Sequence, residues 1–250
     1  MKKLMLYSVA GVAAIAAMSG AALKLYTPLG SSPDKRQRDR FSGLPNYNEG
    51  KFANDEEETA IDLSGGLSML KDSLFAGEVE RTPGTLPVAE VDWARIESTQ
   101  DSVTWFGHST FLLSIDGRKL FIDPMLGNRA SPLSFVGSAR YSHDWLATID
   151  RLPPIDAVLL THDHYDHLDY ESIRALESKV GHFYVPLGVG VHLSRWGVED
   201  ARITELNWWE EAQLGNLTLA LTPSRHFSGR GLFNRNSTLW GGWVVLGKQT

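Results

Sequence analysis

Apolar runs divide the second half of the chain into predicted strands and short helices. The runs SVTWFGHSTFLLSI and RKLFID flank Asp116-Gly117, a dipeptide typical of a two-residue β-hairpin. The run IDAVLL, at 155–160, has the length and β-branched content of a buried strand. A helix is predicted over Tyr170–Ser178, where apolar residues recur at helical spacing.

Further strands are predicted at HFYVPLGV, LTLALTP and WGGWVVLG, with a short helix around His192 after the first of them. Strands on both sides of short helices favour a layered α/β fold. We expect the globular domain to occupy residues 101–250.

The first 30 residues have the pattern of an export signal or an uncleaved membrane anchor. Lys2 and Lys3 precede the uncharged stretch Leu4–Leu23, which is long enough to cross a bilayer. The two lysines favour an N-terminus inside the cell, whereas basic residues after the stretch oppose that orientation. We therefore expect a protein that is membrane-associated or exported to the cell envelope, with the periplasmic side favoured.

Residues 31–100 are predicted to form a linker and an N-terminal arm. Residues 31–60 are polar and contain the mixed-charge run DKRQRDR and the acidic run NDEEE. This composition is typical of a linker or of a loosely docked arm.

The composition excludes several classes of function. The chain has 250 residues, of which 42% are hydrophobic, and a net charge of −6. An acidic chain is not expected to bind nucleic acid non-specifically, so we expect no nucleic-acid partner. The lack of cysteine excludes disulfides and thiolate zinc sites, so any metal site must use histidine and carboxylate ligands.

The stretch LLTHDHYDHLDY, at 159–170, places three of the eight histidines of the chain within six residues. It follows a predicted buried strand, and strand ends in α/β sheets are the usual place for a ligand site. His162 and His164 are two residues apart and can reach one ion together, whereas the next turn can direct Asp166 and His167 to a second ion. Imidazole and carboxylate ligands suit zinc or iron.

The pattern His162-x-His164-x-Asp166-His167 resembles the signature of the metallo-β-lactamase superfamily, the αββα sandwich hydrolases. Other stretches resemble one branch of it, the N-acyl-phosphatidylethanolamine-hydrolysing phospholipase D group and its bacterial relatives. They are WFGHST, FIDP, RASPLSF, LPPIDAVLLTHDHYDHLD, VPLGV, NWW and TPSRHFSGRGLFNRNSTLWGGWVVLG. The resemblance covers roughly residues 100 to 250 and implies an α/β fold of the αββα sandwich type.

The resemblance implies a centre of two zinc ions. Three histidines would hold the first zinc: His162, His164 and His226. Asp166 and His167 would help to hold the second. Asp123, at the end of its strand, would orient the motif loop by hydrogen bonds, as histidine ligands usually require. His108 would lie near the floor of the site or act only as a buried hydrogen-bonding residue.

The resemblance also implies two more ligands, a bridging Asp and a last His, located after Thr250. From this resemblance we expect a sandwich that is incomplete at the C-terminus and a second zinc site that is incomplete in this chain. We therefore expect the 250-residue chain to be an inactive fragment of the enzyme.

The chemistry implied is metal-assisted hydrolysis, in which two ions activate a shared water and Asp166 ligates and orients that nucleophile. The substrate would be a membrane lipid, N-acyl-phosphatidylethanolamine, cleaved to phosphatidic acid and an N-acylethanolamine. Three alternatives stay open. They are a hydrolase of the same fold that acts on a lactone, lactam or nucleotide ester, a non-catalytic zinc-binding membrane protein, and an envelope factor whose metal only supports the fold.

Two sets of side chains have open interpretations. Four arginines are either phosphate contacts or solvated surface residues: Arg129, Arg225, Arg230 and Arg235. Five aromatic residues are either core and docking residues or the lining of a groove for an acyl chain: Trp196, Trp208, Trp209, Phe227 and Trp240.

Overall fold

The structure is a computed structural model that describes residues 26–55, 87–133, 135, 139–140, 145–231 and 234–248. The predicted signal or anchor at Leu4–Leu23 and most of the second half of the predicted arm lie outside the described residues. Within the described part of the chain, no helix combines the length and the apolar character needed to cross a membrane.

The secondary structure consists of short elements. The strands are Tyr47–Asn48 (β1), Lys51–Phe52 (β2), Ser102–Gly107 (β3), Thr110–Ile115 (β4), Arg118–Ile122 (β5), Ile155–Leu159 (β6), Val180–Pro186 (β7), Ile203–Leu206 (β8), Glu211–Leu214 (β9), Leu217–Thr222 (β10) and Gly242–Leu246 (β11). The α-helices are Lys35–Phe41 (α1), Trp93–Glu97 (α2), Tyr170–Leu176 (α3) and Gly190–Arg195 (α4). Short 3-10 helices are Thr27–Leu29, Leu146–Arg151, Glu177–Lys179 and Asp200–Arg202.

A six-stranded mixed sheet forms the centre of the fold, in the order β3-β4-β5-β6-β7-β8. Strands β3, β4 and β5 are antiparallel neighbours, and β5 to β8 are paired in parallel. A three-stranded antiparallel sheet has the order β11-β10-β9. The predicted α/β fold class is therefore confirmed.

Successive residues of the central strands face two different cores, as the twofold side-chain period of a strand requires. Val158 of β6 lies in one core together with Ile173 of α3. Leu159, the next residue, lies in another core together with Leu217 of the small sheet. The central sheet is thus covered by helices on one face and by the small sheet on the other, which makes the end of β6 rigid.

Residues 26–55 are docked on the domain, so the expectation of a linker or a loosely docked arm is wrong for residues 31–55. The charged run is α1, which begins with a capping box between Asp34 and Gln37. Phe41, Tyr47 and Phe52 form a buried aromatic cluster with ring centroids between 4.8 and 5.6 Å apart. Burial of such side chains stabilises the docked arm by roughly 1.5–3 kcal/mol each.

The run SVTWFGHSTFLLSI is two antiparallel strands rather than one. The predicted hairpin at Asp116-Gly117 is present, but a second turn at His108 separates β3 from β4. Gly107 has φ 99° and His108 has φ 47°. The left-handed conformation is uncommon for residues other than glycine. The turn is supported by Arg140, whose guanidinium donates to the carbonyl oxygens of Phe106 and Met125. This turn directs the His108 side chain toward the loop after β6.

Candidate metal centre

The loop 161–169, called the motif loop below, connects the carboxyl end of β6 to α3. Its chain folds back at His164, whose carbonyl oxygen accepts hydrogen bonds from the backbone N–H groups of His167 (3.1 Å) and Leu168 (2.8 Å). Asp169 caps α3 by accepting a hydrogen bond from the Ser172 N–H at 3.0 Å. The loop is therefore held by the strand before it, the helix after it and its own turn.

The structure brings three predicted first-zinc ligands together. His162 Nε2 lies 2.9 Å from His164 Nδ1 and 3.0 Å from His226 Nε2. His226 comes from the segment that follows β10, so two separate parts of the chain form this histidine group. The potential ligand atoms of all three residues lie within 4.8 Å of one another.

A second group consists of His108, Asp166 and His167. Asp166 Oδ2 lies 3.0 Å from His108 Nε2 and 3.7 Å from His167 Nε2, and the two Nε2 atoms are 3.3 Å apart. Neither expectation for His108, a place near the floor of the site or a buried hydrogen-bonding role, is correct, because its side chain is 51% exposed and lies at the mouth. The cause is the left-handed turn at Gly107-His108, which the strand pattern did not predict.

Asp123, directly after β5, holds the motif loop through hydrogen bonds. It is buried, and its carboxylate accepts hydrogen bonds from the Thr161 backbone N–H (2.7 Å), the Thr161 hydroxyl (2.6 Å) and His167 Nδ1 (2.8 Å). A His167 ring that donates through Nδ1 keeps the lone pair of Nε2 for a metal or a proton. Metal-binding histidines usually donate their other ring N–H in this way, to a carboxylate, a backbone carbonyl or water.

The ring of His162 is oriented in a similar way. The Thr161 hydroxyl donates its hydrogen bond to Asp123. The Thr161 oxygen therefore accepts a hydrogen bond from the N–H of His162 at Nδ1, and Oγ1 and Nδ1 are 2.9 Å apart. The unprotonated Nε2 of His162 then faces His164 and His226.

The two groups fit a transition metal. Zinc bound to histidine at 2.0–2.1 Å in a tetrahedron brings neighbouring nitrogens to about 3.3 Å from one another. The contacts of 2.9 and 3.0 Å between the three imidazoles are close to that distance. Nitrogen donors in one group and a carboxylate in the other suit zinc or iron.

The three imidazoles of the first group favour the uncharged form that metal binding needs. Burial and, to a smaller extent, the neighbouring histidines together lower the pKa of His162 to about 2. Burial also lowers the pKa of His164 and of His226. Burial lowers the pKa of His167 too, but the hydrogen bond and the charge of Asp123 outweigh it, so the pKa is raised overall.

We expect the metal-free protein to lose stability as the pH falls below 6.5. His162 is uncharged in the folded state and takes up a proton on unfolding, so its contribution is full above pH 6.5 and is lost progressively toward pH 2. At pH 5 the loss from His162 alone is about 2 kcal/mol. The pKa of His167 is raised in the folded state, so its contribution to the free energy of unfolding is already complete below pH 6.5 and does not change there. Urea unfolding with a chelator present, at pH 7 and pH 5, measures the difference, and equal stability at both values would contradict it.

A buried polar cluster behind the motif loop was not predicted. Asp163, His192 and Arg230 are all buried, and His192 Nε2 lies 3.3 Å from the Asp163 carboxylate. Arg230 donates to the carbonyl oxygens of Asp163 (2.8 Å) and Leu168 (2.7 Å). Neither interpretation of Arg230, phosphate contact or solvated surface residue, is therefore correct. The only sequence signal for this cluster was the position of Asp163 between two histidines of the motif.

The other candidate arginines and aromatic residues divide into buried and accessible ones. Trp196, Trp208 and Trp240 are buried in the cores, so they do not line a groove. Phe227 is partly exposed, and its ring centroid is 4.6 Å from that of His164. The Arg235 guanidinium lies 4.1 Å from the centre of the Phe227 ring. Arg225 and Trp209 are exposed, and Arg129 is half-buried.

A groove of about 990 Å³ opens beside the second group. His108 and Asp166 line one part of it, and the remainder runs along β3 and residues 87–92. Val103 and Trp105 of β3 line the groove and are 65% and 69% exposed. Exposed apolar side chains of this size beside a possible catalytic group indicate a site for an apolar ligand.

Comparisons with known proteins place the chain in a family. A family model described as a beta-lactamase superfamily domain matches residues 118–250. An uncharacterized protein of Mycobacterium tuberculosis is 42% identical over 206 residues, which are 81% of this chain and 55% of that protein. The N-acyl-phosphatidylethanolamine-hydrolyzing phospholipase D 1 of Caenorhabditis elegans is 34% identical over 174 residues, which are 66% of this chain and 49% of that protein.

Among solved structures, Igni18, a metallo hydrolase from Ignicoccus hospitalis, is 25% identical with a TM-score of 0.41. The match covers 58% of this chain and 55% of that one. The chain spans about half the length of the curated relatives it matches.

Proposed function

We propose that this chain, which belongs to the metallo-β-lactamase superfamily, provides metal ligands and the apolar groove of an enzyme that hydrolyses a phosphodiester bond in an N-acylated membrane phospholipid. Metal-dependent hydrolysis is the general function of the family to which the chain belongs. The lipid substrate is the proposed part. It rests on the similarity to an N-acyl-phosphatidylethanolamine-hydrolyzing phospholipase D and on the apolar groove next to Asp166.

The observation that carries the proposal is the close approach of the two donor groups. The ring centroids of His162, in the first group, and His167, in the second, are 4.1 Å apart. His162, His164 and His226 would hold one metal ion, and His108, Asp166 and His167 would hold or contact another. Bound transition-metal ions lower the pKa of water and polarise a phosphoryl oxygen, which is the chemistry that phosphodiester hydrolysis requires.

The side chains of this site have separate tasks. Asp166 is partly exposed at the mouth, where its carboxylate can orient a water molecule and accept a proton from it. His108 Nε2 lies 3.0 Å from that carboxylate and can take part in the same proton exchange. Asp123 is buried and fixes the orientation of His167 through the hydrogen bond to Nδ1.

The groove favours a substrate with an apolar chain over a small polar ester. Its volume of about 990 Å³ lies at the upper end of the range for small-molecule sites, about 300–1,000 Å³. Trp105 is held at its wall because the indole N–H donates to the carbonyl oxygen of His108 at 2.9 Å. An acyl chain lying along Trp105 and Val103 would place the polar head of a lipid at Asp166. The predicted N-terminal signal or anchor would bring the enzyme to a membrane surface.

We expect a zinc-loaded protein that carries this chain together with the two further ligands implied by the resemblance to release phosphatidic acid and N-acylethanolamine from N-acyl-phosphatidylethanolamine in mixed micelles, because both the metal groups and the apolar groove are then used. Mass spectrometry of both products is the measurement, and treatment with a chelator is expected to stop their release. Trp105→Ala is expected to raise KM for the lipid but not for a short water-soluble phosphodiester.

The alternatives give different results in the same assay. Hydrolysis of a long-chain lactone without release of phosphatidic acid would favour an ester hydrolase of the same fold. Zinc uptake without hydrolysis of any of these substrates would favour a non-catalytic zinc-binding protein.

A further inference from the structure

The third histidine of the first group is held differently from the other two. His162 and His164 belong to the motif loop, which β6, α3 and the turn at His164 keep in place. His226 lies in an irregular segment between β10 and β11, outside any helix or strand. Its position relative to the motif loop therefore depends on contacts from other parts of the chain.

Asn54 of the docked arm bonds both main-chain polar groups of His226. The Asn54 Nδ2 group donates to the His226 carbonyl oxygen at 2.9 Å, and the His226 N–H donates to Asn54 Oδ1 at 3.1 Å. The two residues are 172 positions apart in the sequence. The side-chain amide thus pairs with His226 in the way that a neighbouring strand would pair with it.

The same amide is connected to the core. The Trp240 indole N–H donates to Asn54 Oδ1 at 3.2 Å and to the Ser224 carbonyl oxygen at 2.9 Å. Phe52, two residues before Asn54, is 1% exposed, and its N–H donates to the Asn236 carbonyl oxygen at 2.9 Å. Asn54 is therefore presented by a rigid part of the arm and not by a free chain end.

We infer that Asn54 is a positioning residue of the metal centre, which sets the place of the His226 imidazole through its main chain. The inference rests on the proposed function, because it requires that His226 binds a metal ion. A ligand must be kept within about 0.5 Å of its productive position, and the groups that support ligands contribute strongly to affinity. The N-terminal arm is on this view part of the metal centre of the domain.

The test compares Asn54→Ala and Asn54→Asp with Asn46→Ala in the whole chain. Asn46 is a matched control, since it lies on the same arm and donates a hydrogen bond to Asn207 Oδ1 at 2.8 Å, away from His226. Zinc affinity is measured by competition with a chromophoric chelator, and the ligand geometry by the visible absorption spectrum of bound Co²⁺. Thermal melts of the metal-free proteins report the stability of each variant.

We expect Asn54→Ala to raise the Kd for Zn²⁺ by about 10- to 100-fold and to change the Co²⁺ spectrum. Asn54→Asp keeps the acceptor for the His226 N–H and loses the donor to its carbonyl oxygen, so its effect should be intermediate. Asn46→Ala should lower Tm without changing either metal measurement.

Two other results would overturn different claims. A wild-type protein that binds Zn²⁺ normally, together with Asn54 variants whose affinity and spectrum match it, would overturn the role of Asn54 alone. A wild-type protein that takes up neither Zn²⁺ nor Co²⁺ would overturn the proposed function and this inference together.

Discussion

Replacing Asp166 with Asn is expected to lower the rate of the proposed lipid hydrolysis by at least about 10²-fold, because general-base groups commonly contribute that much or more. The Asp166 carboxylate lies 3.0 Å from His108 Nε2 and 3.7 Å from His167 Nε2, at the mouth of the site. Asn has nearly the same size, but it carries no negative charge to hold a cation and it cannot accept a proton at neutral pH.

The fold should not change in the same variant. The Asp166 side chain is 43% exposed, and substitutions at such positions usually alter stability by no more than about 0.5 kcal/mol. The experiment measures product release beside a thermal melt and elemental analysis. Asp39→Asn, at an exposed position of α1, is the matched control and should keep full activity. Retention of full activity by Asp166→Asn would rule out the role given to this carboxylate.

The convergence of the candidate ligands in the motif loop could be predicted because these residues are close together in the sequence. His162, His164, Asp166 and His167 lie within six residues, directly after an apolar run that is readily identified as a buried strand. A strand end fixes the direction of the next few side chains, so local spacing was sufficient to predict that they converge.

The residues that support these ligands could not be predicted in the same way. Asn54 contacts His226 across 172 positions, and His192 contacts Asp163 across 29. Neither pair has a local pattern, because both depend on how the arm and α4 pack on the domain. The turn at Gly107-His108 has a local signal, since glycine commonly interrupts a strand, but the apolar residues on both sides of it suggest one continuous strand.

For the docked arm, amino-acid composition also gave the wrong prediction. Its charged run DKRQRDR suggests a solvated linker, yet Asp34 and Gln37 have the spacing of a helix capping box. Phe41, Tyr47 and Phe52 are too widely spaced for a continuous apolar pattern, and only the folded chain brings their rings together.

Asp163 connects the motif loop to the segment that carries His226. Its buried carboxylate accepts hydrogen bonds from the Gly229 N–H (2.7 Å), the Thr238 hydroxyl (2.9 Å) and His192 Nε2 (3.3 Å). Burial raises the pKa of Asp163, but its hydrogen bonds and the charge of Arg230 outweigh this and hold the pKa well below its usual range. Asp163 is therefore a charged group inside the protein, and its partners depend on that charge.

The hydrogen-bond donors around Asp163 leave no orientation in which the side-chain amide of an Asn at this position could bond all of them. The Ser31 N–H donates to His192 Nδ1 at 3.0 Å, so the proton of the uncharged His192 ring must be on Nε2 and point at Asp163. If Asn replaced Asp163, its NH₂ group would face either the His192 N–H or the Gly229 N–H. Two N–H donors would then face each other in the interior with no acceptor between them. Arg230 would also lose a nearby negative charge.

We therefore expect Asp163→Asn to lower the free energy of unfolding by roughly 3–5 kcal/mol, the usual cost of removing one partner from a buried charged cluster. Urea unfolding of the metal-free protein at pH 7 is the measurement. Asp156→Asn is the matched control. Its carboxylate accepts hydrogen bonds from the Arg118 guanidinium at 2.6 Å and from the Lys119 N–H at 2.8 Å, and an amide oxygen can keep the second bond. Both side chains of the ion pair are partly exposed, so the loss should not exceed about 1 kcal/mol. Because Asp163 also joins the two ligand segments, its variant should bind zinc more weakly even under conditions in which it is folded. Equal stability of the two variants would show that the buried carboxylate does not hold these segments together.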